Sequence, residues 1–381
     1  MKADVLILRI EDLILVTVTL AWFARTAIFK ELGLIRKTPL NAPMGAYVAS
    51  LVLATLLGVL TGNVQPMRGI FFTLKYIEYF VVYFMTVNYV REERQALRLL
   101  GTAFGTCAIA AVIGIAQIPS GERVAAPFEG QYGEPNTFGG YLVFMLALIV
   151  AQILSARTLQ ARLGWVAFSC LVVLPFLFTL SRSSWLAAVP MLLTLILLSP
   201  RRLMLMVGLG ILVITGSFVF PKQVVDRYNY TLDEKFDRGD YQIGGKRLDS
   251  STSARLDSWK QGLQTWTERP FFGYGVTGTG FMDAQFVRVL VEAGLFGLAI
   301  FLWLLWRTFR VAWDTYRHAI GTPFEGLTLG YVAGLIAMIV HSIGANTFII
   351  VRIMEPFWFV TGVIVLLPLL GSAKLPPRNA V

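Results

Sequence analysis

Residues 250–297 read SSTSARLDSWKQGLQTWTERPFFGYGVTGTGFMDAQFVRVLVEAGLFG. This stretch changes character twice. Leu256, Trp259, Leu263 and Trp266 recur at helical spacing, which predicts an amphipathic helix of the kind that lies in a headgroup layer. Ser251, Thr252 or Ser253 can cap its start, and Pro270 ends the pattern. A loop with glycines at 273, 275, 278 and 280 follows, and from Gln285 an apolar run begins that is long enough to enter a bilayer. The chain therefore passes from water, along an interface, into hydrocarbon.

The rest of the chain fits that reading. Of its 381 residues, 56% are hydrophobic and 15% charged, and the mean hydropathy is +0.66. A soluble domain carries about 25% charged residues, so most of this chain belongs in lipid. The formal net charge of +10 points to basic loops on the cytoplasmic side, not to nucleic acid. Cys107 and Cys170 both lie in apolar runs, which predicts neither a disulfide framework nor a metal site. The N-terminus carries Arg9, Glu11 and Asp12 before its best apolar stretch, a pattern unlike a cleaved signal peptide.

A spanning helix needs about 20 mostly apolar residues. Such segments are found at 9–28, 43–62, 69–90, 98–118, 137–156, 162–181, 183–199, 203–220, 285–309, 324–346 and 353–371, the first being the weakest. The expected fold is all-α: one polytopic membrane domain over residues 1–381, a helical bundle with about eleven transmembrane helices and a large extracytoplasmic loop or cap at 221–284. Alternate loops carry Arg25, Lys30, Arg36 and Lys37; Arg91, Arg94 and Arg98; Arg157 and Arg162; Arg201 and Arg202; Arg307, Arg310 and Arg317; and Lys374 and Arg378. These should be cytoplasmic. The intervening loops, with Arg68, Arg123, Arg182 and Arg352, and the segment 221–284 then face outward. A connection longer than about 15 residues is usually functional or disordered, and the mixed charges of this one suit a folded, solvated cap.

Soluble-enzyme signatures are absent: there is no GxSxG, HExxH, CxxC or Walker A sequence. Gly273-Tyr274-Gly275-Val276-Thr277-Gly278 fits GxGxxG, but no strand precedes it and no βαβ unit surrounds it, so it is not a dinucleotide site. No Asp-x-Asp metal pair occurs either. The candidate site residues are instead outward-facing polar side chains beside apolar runs. Arg182 lies between two spans. It is either an interfacial anchor next to Trp185 or a bidentate phosphate ligand. Arg255, at the edge of the amphipathic face near Trp259, is either a solvated charge or a second anion ligand at headgroup level. Asp283 is either the N-cap of the ninth span or a general base. The glycines around Tyr274 form either a flexible turn or an anion-binding concavity of backbone amides. Glu134-Pro135-Asn136 is either a turn or an aid to proton transfer. Lys75 and Glu78, one turn apart, should pair. His341, a lone histidine on an apolar helix beside Asn346, suits core hydrogen bonding but can also reach a substrate.

These residues resemble the O-antigen ligase and O-antigen polymerase superfamily of bacterial envelope enzymes. The resemblance is carried by Gly133-Glu134-Pro135-Asn136, Ser181-Arg182-Ser183, Arg255 with Trp259 followed by Pro270, Gly273 and Gly275, and Asp283 with Glu292-Ala293-Gly294-Leu295-Phe296-Gly297. It spans about residues 130–300 in the family's order. It implies a donor glycan linked to undecaprenyl pyrophosphate and no metal or nucleotide cofactor. It also implies a pyrophosphate held by two arginines, here Arg182 and Arg255, with Asp283 completing the catalytic set. Glu134, Asn136, Trp259, Gly273, Tyr274, Gly275 and His341 become the expected substrate contacts. Ligases of the family carry His-Asn where this chain has Asp283-Ala284. That departure favours a polymerase of O-antigen or exopolysaccharide repeat units over a ligase acting on a lipid or protein acceptor. The expected location is the bacterial inner membrane with the site facing outward. Membrane lipids, a chain-length regulator and a flippase are the expected partners, and nucleic acid is not. A lipid-linked glycan transporter is the other class of reading, but the polar residues gather at one side and do not line a midplane path.

Overall fold

The computed structural model describes residues 17–18, 20–21, 36–127, 133–219, 223–226, 238–243, 246–280 and 282–371. Its helices are α1 (Asn41–Leu60), α2 (Pro66–Tyr89), α3 (Glu93–Gln117), α4 (Pro135–Ser155), α5 (Leu159–Phe178), α6 (Arg182–Leu198), α7 (Arg202–Val219), α8 (Ser250–Glu268), α9 (Gln285–Ala319), α10 (Glu325–Gly344) and α11 (Val351–Gly371). Among the described residues eight helices, α1–α5 and α9–α11, are long and apolar enough to cross a bilayer, and α6 and the start of α7 are shorter apolar helices. The chain is a multi-pass helical membrane protein. Ten of the expected segments form helices within a few residues of their predicted edges, except that α9 runs on to Ala319 where 309 was expected. The first, 9–28, lies outside the described residues except for four helical positions.

The differences at helix edges have local causes. Pro66 and Pro135 occupy the first turns of α2 and α4, where a missing amide costs nothing, so both helices start before their apolar runs do. The α9 helix continues to Ala319; its part from Leu295 to Ala319 has 25 residues, about 38 Å at 1.5 Å per residue, beyond a hydrocarbon core of about 30 Å. Its added turns carry Arg310, Asp314 and Arg317 out of the apolar region. The amphipathic helix, α8, begins at Ser250 directly after a strand. Ser251, Thr252 and Ser253 therefore lie inside it and do not cap it.

One element departs from an all-α chain. Within 221–284, β1 (Arg238–Ile243) and β2 (Lys246–Asp249) form an antiparallel hairpin, pairing Arg238 with Asp249 and Ile243 with Lys246. The sequence signal is Gly244-Gly245 between two extended runs, which mixed charges obscure.

The core centres on α4 and α10, whose residues are buried on nearly every face. Their close approach depends on small residues. A Cβ on Gly330 would lie 2.7 Å from the Leu148 Cα and 2.8 Å from the Ala147 carbonyl oxygen, the small-residue contact by which membrane helices pack. Helices α3 and α5 are peripheral and turn Ile109, Val112, Leu163 and Leu174 outward. Free Cys107 is buried and Cys170 exposed, and Lys75 pairs with Glu78 at 3.1 Å. The two ends of the bundle differ. At the basic end, Arg157 Nη2 donates to the Gly321 carbonyl at 2.8 Å and Arg201 Nη1 to that of Ala156 at 2.9 Å. At the other end, Arg123 Nε donates to the Thr179 carbonyl at 3.0 Å, and the loops carrying the candidate site residues gather.

Candidate functional site

The site is framed by a break in α9. Gly294 has φ 69° and ψ −172° within the helix, a conformation essentially restricted to glycine. The break frees backbone groups inside the membrane domain, where each must find a partner. The segment after α8 supplies them. Tyr274 N donates to the Val291 carbonyl (2.9 Å) and Gly275 N to that of Glu292 (2.8 Å), while Leu295 N donates to the Pro270 carbonyl (2.8 Å) and Phe296 N to that of Phe271 (3.2 Å). Gly273 (φ 67°) and Gly275 (φ 89°) turn the loop into this position.

This geometry corrects the anion-concavity expectation for Gly273, Tyr274 and Gly275. Each amide from 273 to 278 already has an acceptor within the protein, including Val276 N to Thr55 Oγ1 (3.3 Å) and Thr277 N to Glu292 Oε1 (3.2 Å). The glycines knit two segments together and leave no amide facing a ligand. Gly275 packs against α1. The Tyr274 hydroxyl donates to Glu268 Oε2 at 2.6 Å under the Arg269 guanidinium. The hydrogen bond to Glu268 raises this phenol above its ordinary value.

An ion pair that the sequence reading passed over sits below the break. Arg288 Nε donates to Glu292 Oε1 at 3.1 Å, with side-chain exposures of 13% and 4%, and Tyr76 OH reaches Glu292 Oε2 at 3.4 Å. The signal was available as opposite charges four apart inside an apolar run. Removing one partner of a buried pair costs about 3–5 kcal/mol because the other charge is left uncompensated. Glu292→Gln should therefore lower the thermal midpoint of the detergent-solubilised protein by many degrees, whereas Tyr76→Phe should change it little.

Asp283 lies just before α9 but does not cap it. The cap position is Ala284, with no side-chain hydrogen bond. The residues around it are clamped. Asn346 Nδ2 donates to the Met282 carbonyl at 2.6 Å, Phe348 N donates to Gln285 Oε1 at 2.9 Å, and Met282 presses on Gly262 of α8. Asp283 is half-buried, within electrostatic reach of Glu134, Arg255 and Arg288. Burial raises its carboxyl above the ordinary value, Glu134 adds to this, and Arg255 and Arg288 oppose it. Arg255, in the second turn of α8, also lies within electrostatic reach of His341. Trp259, one turn further on, is half-buried, and its indole nitrogen is buried without an acceptor.

The starts of α4 and α6 complete the site. Asn136 Nδ2 donates to Glu134 Oε1 at 2.9 Å, and Ser181 Oγ donates to Asn136 Oδ1 at 2.8 Å. Ser181 caps α6, which places Arg182 at its first turn, and Ser183 Oγ donates to the Gly344 carbonyl at 3.3 Å. His341 is fully buried, with Nε2 3.1 Å from Ser184 Oγ and Nδ1 2.7 Å from Thr347 Oγ1. Both ring nitrogens are engaged, the core hydrogen bonding that a lone histidine on an apolar helix suits. Its ring joins Ser184, two residues beyond Arg182, to Thr347. The structure gathers Glu134, Asn136, Arg182, Arg255 and Asp283 at one end of the bundle and leaves Tyr274 and Gly275 on its α1 side. Among the described residues no group of three or more His, Cys, Asp or Glu side chains is placed to hold a metal ion.

Residues 174–302 match the family model described as O-antigen ligase. No curated protein matches the chain. The matched stretch runs from the end of α5 into α9 and contains Arg182, Arg255, Asp283 and Gly294. Over that stretch the chain is O-antigen ligase-like; the match covers the motifs from Ser181 to Gly297, and Gly133-Glu134-Pro135-Asn136 lies before it.

Proposed function

We propose that this protein transfers a glycan from an undecaprenyl-pyrophosphate donor to a separate lipid or protein acceptor at the outer face of the bacterial inner membrane. The observation that carries the reading is the grouping of Arg255, Asp283 and Glu134 beside the α6 start that bears Arg182. The basic loops lie at the opposite end of the bundle, which by charge bias is cytoplasmic, so this end faces outward. Arg182 and Arg255 bind the pyrophosphate. Asp283 accepts the proton of the acceptor hydroxyl as its oxygen attacks the anomeric carbon from the face opposite the leaving group. The bond from that carbon to the pyrophosphate oxygen breaks with inversion, and its electron pair stays on the lipid pyrophosphate. The two guanidinium groups offset the negative charge that grows there.

The ligase-type family match supports transfer to a separate acceptor. A polymerase reading, in which the acceptor is a second lipid-linked repeat unit, is favoured by Asp283-Ala284 at the position where ligases carry His-Asn. Proteoliposomes loaded with a synthetic undecaprenyl-pyrophosphate glycan separate the two. The ligase reading expects released undecaprenyl pyrophosphate only when a second acceptor is added, each acceptor gaining one donor glycan. A ladder of lengthening products with donor alone would establish the polymerase instead. No release in either mixture would rule out both.

A further inference from the structure

A cavity of about 600 Å³ lies between α2, α3, α4 and α11, within the size range of sites that take a bound molecule, about 300–1,000 Å³. Its mouth is at the site end of the bundle, where Pro127, Thr137 near the start of α4 and Arg352 at the start of α11 line it. Val82, Ala103, Met145 and Phe359 line its deep end. They lie eight to sixteen residues from the ends of their helices on that side, or about 12–24 Å at 1.5 Å per residue. The midplane of a bilayer lies about 20 Å below the outer edge of its headgroups, so the cavity spans one leaflet. Arg352 and Glu355, one turn apart on α11, are the charged residues of its wall. Arg352 Nη1 donates to the Pro127 carbonyl at 3.0 Å, which holds the guanidinium at headgroup level. The peripheral helix α3 contributes Ala103, Thr106 and Ala110, all small, and Thr106 is exposed. That side gives a way in from the lipid.

We propose that this cavity is a phospholipid site, holding the acyl chains of one lipid of that leaflet with its phosphate beside Arg352. Its depth matches chains that end at the midplane, and its uncharged wall below Glu355 matches hydrocarbon. A guanidinium at the mouth suits a phosphate, which it can bind bidentately. Helix α4 keeps this occupant apart from the donor. Thr137, Phe138, Tyr141 and Met145 of α4 line the cavity, whereas Asn136, Gly139 and Gly140 meet Ser181, Ser184 and His341 on its other side. The pyrophosphate position proposed above, at the start of α6, is therefore across α4 from the cavity. A phospholipid can sit there whether or not the protein transfers glycans.

Photo-crosslinking of the purified full-length protein in detergent tests the site. The probe is a phosphatidylethanolamine with a diazirine in mid-chain, and labelled residues are mapped by peptide mass spectrometry. Met145 reports the cavity, because it is buried and lines the deep end. Leu163, exposed on α5, reports lipid at the perimeter. The Met145 label should saturate with probe concentration and fall when unlabelled phosphatidylethanolamine is added, whereas the Leu163 label should rise without saturating. A diacylglycerol with the same chains lacks the phosphate and should label Met145 about tenfold less, the loss of one charge-assisted hydrogen bond. Arg352→Ala should weaken the phospholipid probe to the same level, and Ala110→Phe, which fills the cavity, should remove the Met145 label. Absence of a saturable Met145 label in the wild-type protein would overturn the proposal without any variant having to fold. Equal labelling by the diacylglycerol, or an unchanged Met145 label in folded Ala110→Phe protein, would overturn it as well. Preferential labelling of Met145 by a diazirine-bearing undecaprenyl phosphate would give the cavity to the donor chain instead. Protein that labels as expected but transfers no glycan would sink the reaction proposed above and leave the phospholipid site standing.

Discussion

Arg182→Ala and Arg255→Ala should each lower glycan transfer by a factor of about 100 or more while leaving folded protein in the membrane. Removing one preorganised donor to a developing negative charge typically costs about 10²–10³ in rate, or roughly 2.7–4 kcal/mol. Neither arginine is built into the core. Arg182 occupies the first turn of α6, where a cation opposes the helix dipole by about 0.3–1 kcal/mol. Arg255 is half-exposed on α8. The two substitutions should differ in their pH profiles. Arg255 holds down the proton affinity of Asp283, so without it the folded-state carboxyl is raised further. The base then becomes protonated at higher pH, and the acid limb moves upward. Arg182→Ala should lower the rate with no such movement. Transfer at the wild-type rate by both variants, measured in proteoliposomes at matched protein levels, would end the proposal that these groups hold the leaving pyrophosphate.

Gly294→Ala should prevent accumulation of folded protein. Alanine at φ 69° and ψ −172° pays a backbone strain of about 1–3 kcal/mol. The added Cβ would also run into the Phe271 carbonyl and lie 2.5 Å from Phe272 N. Backbone on both sides cannot give way without breaking the four hydrogen bonds that join 270–275 to 291–296. Each buried backbone group left unpaired costs about 1–3 kcal/mol more, so the sum reaches the total stability of an ordinary domain. Gly280→Ala is the control, because nothing lies within 4 Å of a Cβ there, and it should express and melt like the parent. Size-exclusion profiles and thermal midpoints of the two proteins in one detergent make the comparison. A normal Gly294→Ala protein would mean that the break in α9 is not required.

Much of this molecule is legible one segment at a time. The spans from α1 to α11 follow from apolar runs, the two dissimilar ends from alternating basic loops, and α8 from Leu256, Trp259, Leu263 and Trp266. The Lys75–Glu78 pair follows from its spacing. Arg182, Arg255, Asp283 and Glu134 can be picked out singly, as polar residues where the chain enters or leaves lipid. Three features were left open or missed for the same reason. The loop at 273–275 left a turn and an anion cradle both open, because the amides of Tyr274 and Gly275 have no local partner. Their acceptors, the Val291 and Glu292 carbonyls, exist only because α9 breaks at Gly294. His341 left core hydrogen bonding and a substrate contact both open, because neither Ser184 nor the folding-back of Thr347 onto its ring can be inferred from the helix it sits on. The hairpin of β1 and β2 was hidden among charges that resemble a solvated loop.

The amino-acid order by itself determined which segments enter the membrane and at which end the unusual charges emerge, because a bilayer of fixed thickness sorts each helix by its own composition. Only the tertiary structure decided which polar groups are already satisfied and which remain to meet a ligand. Hydrogen bonds act over about 3 Å, and the partners here lie far apart in the chain, 157 positions for Ser184 and His341 and 221 for Thr55 and Val276.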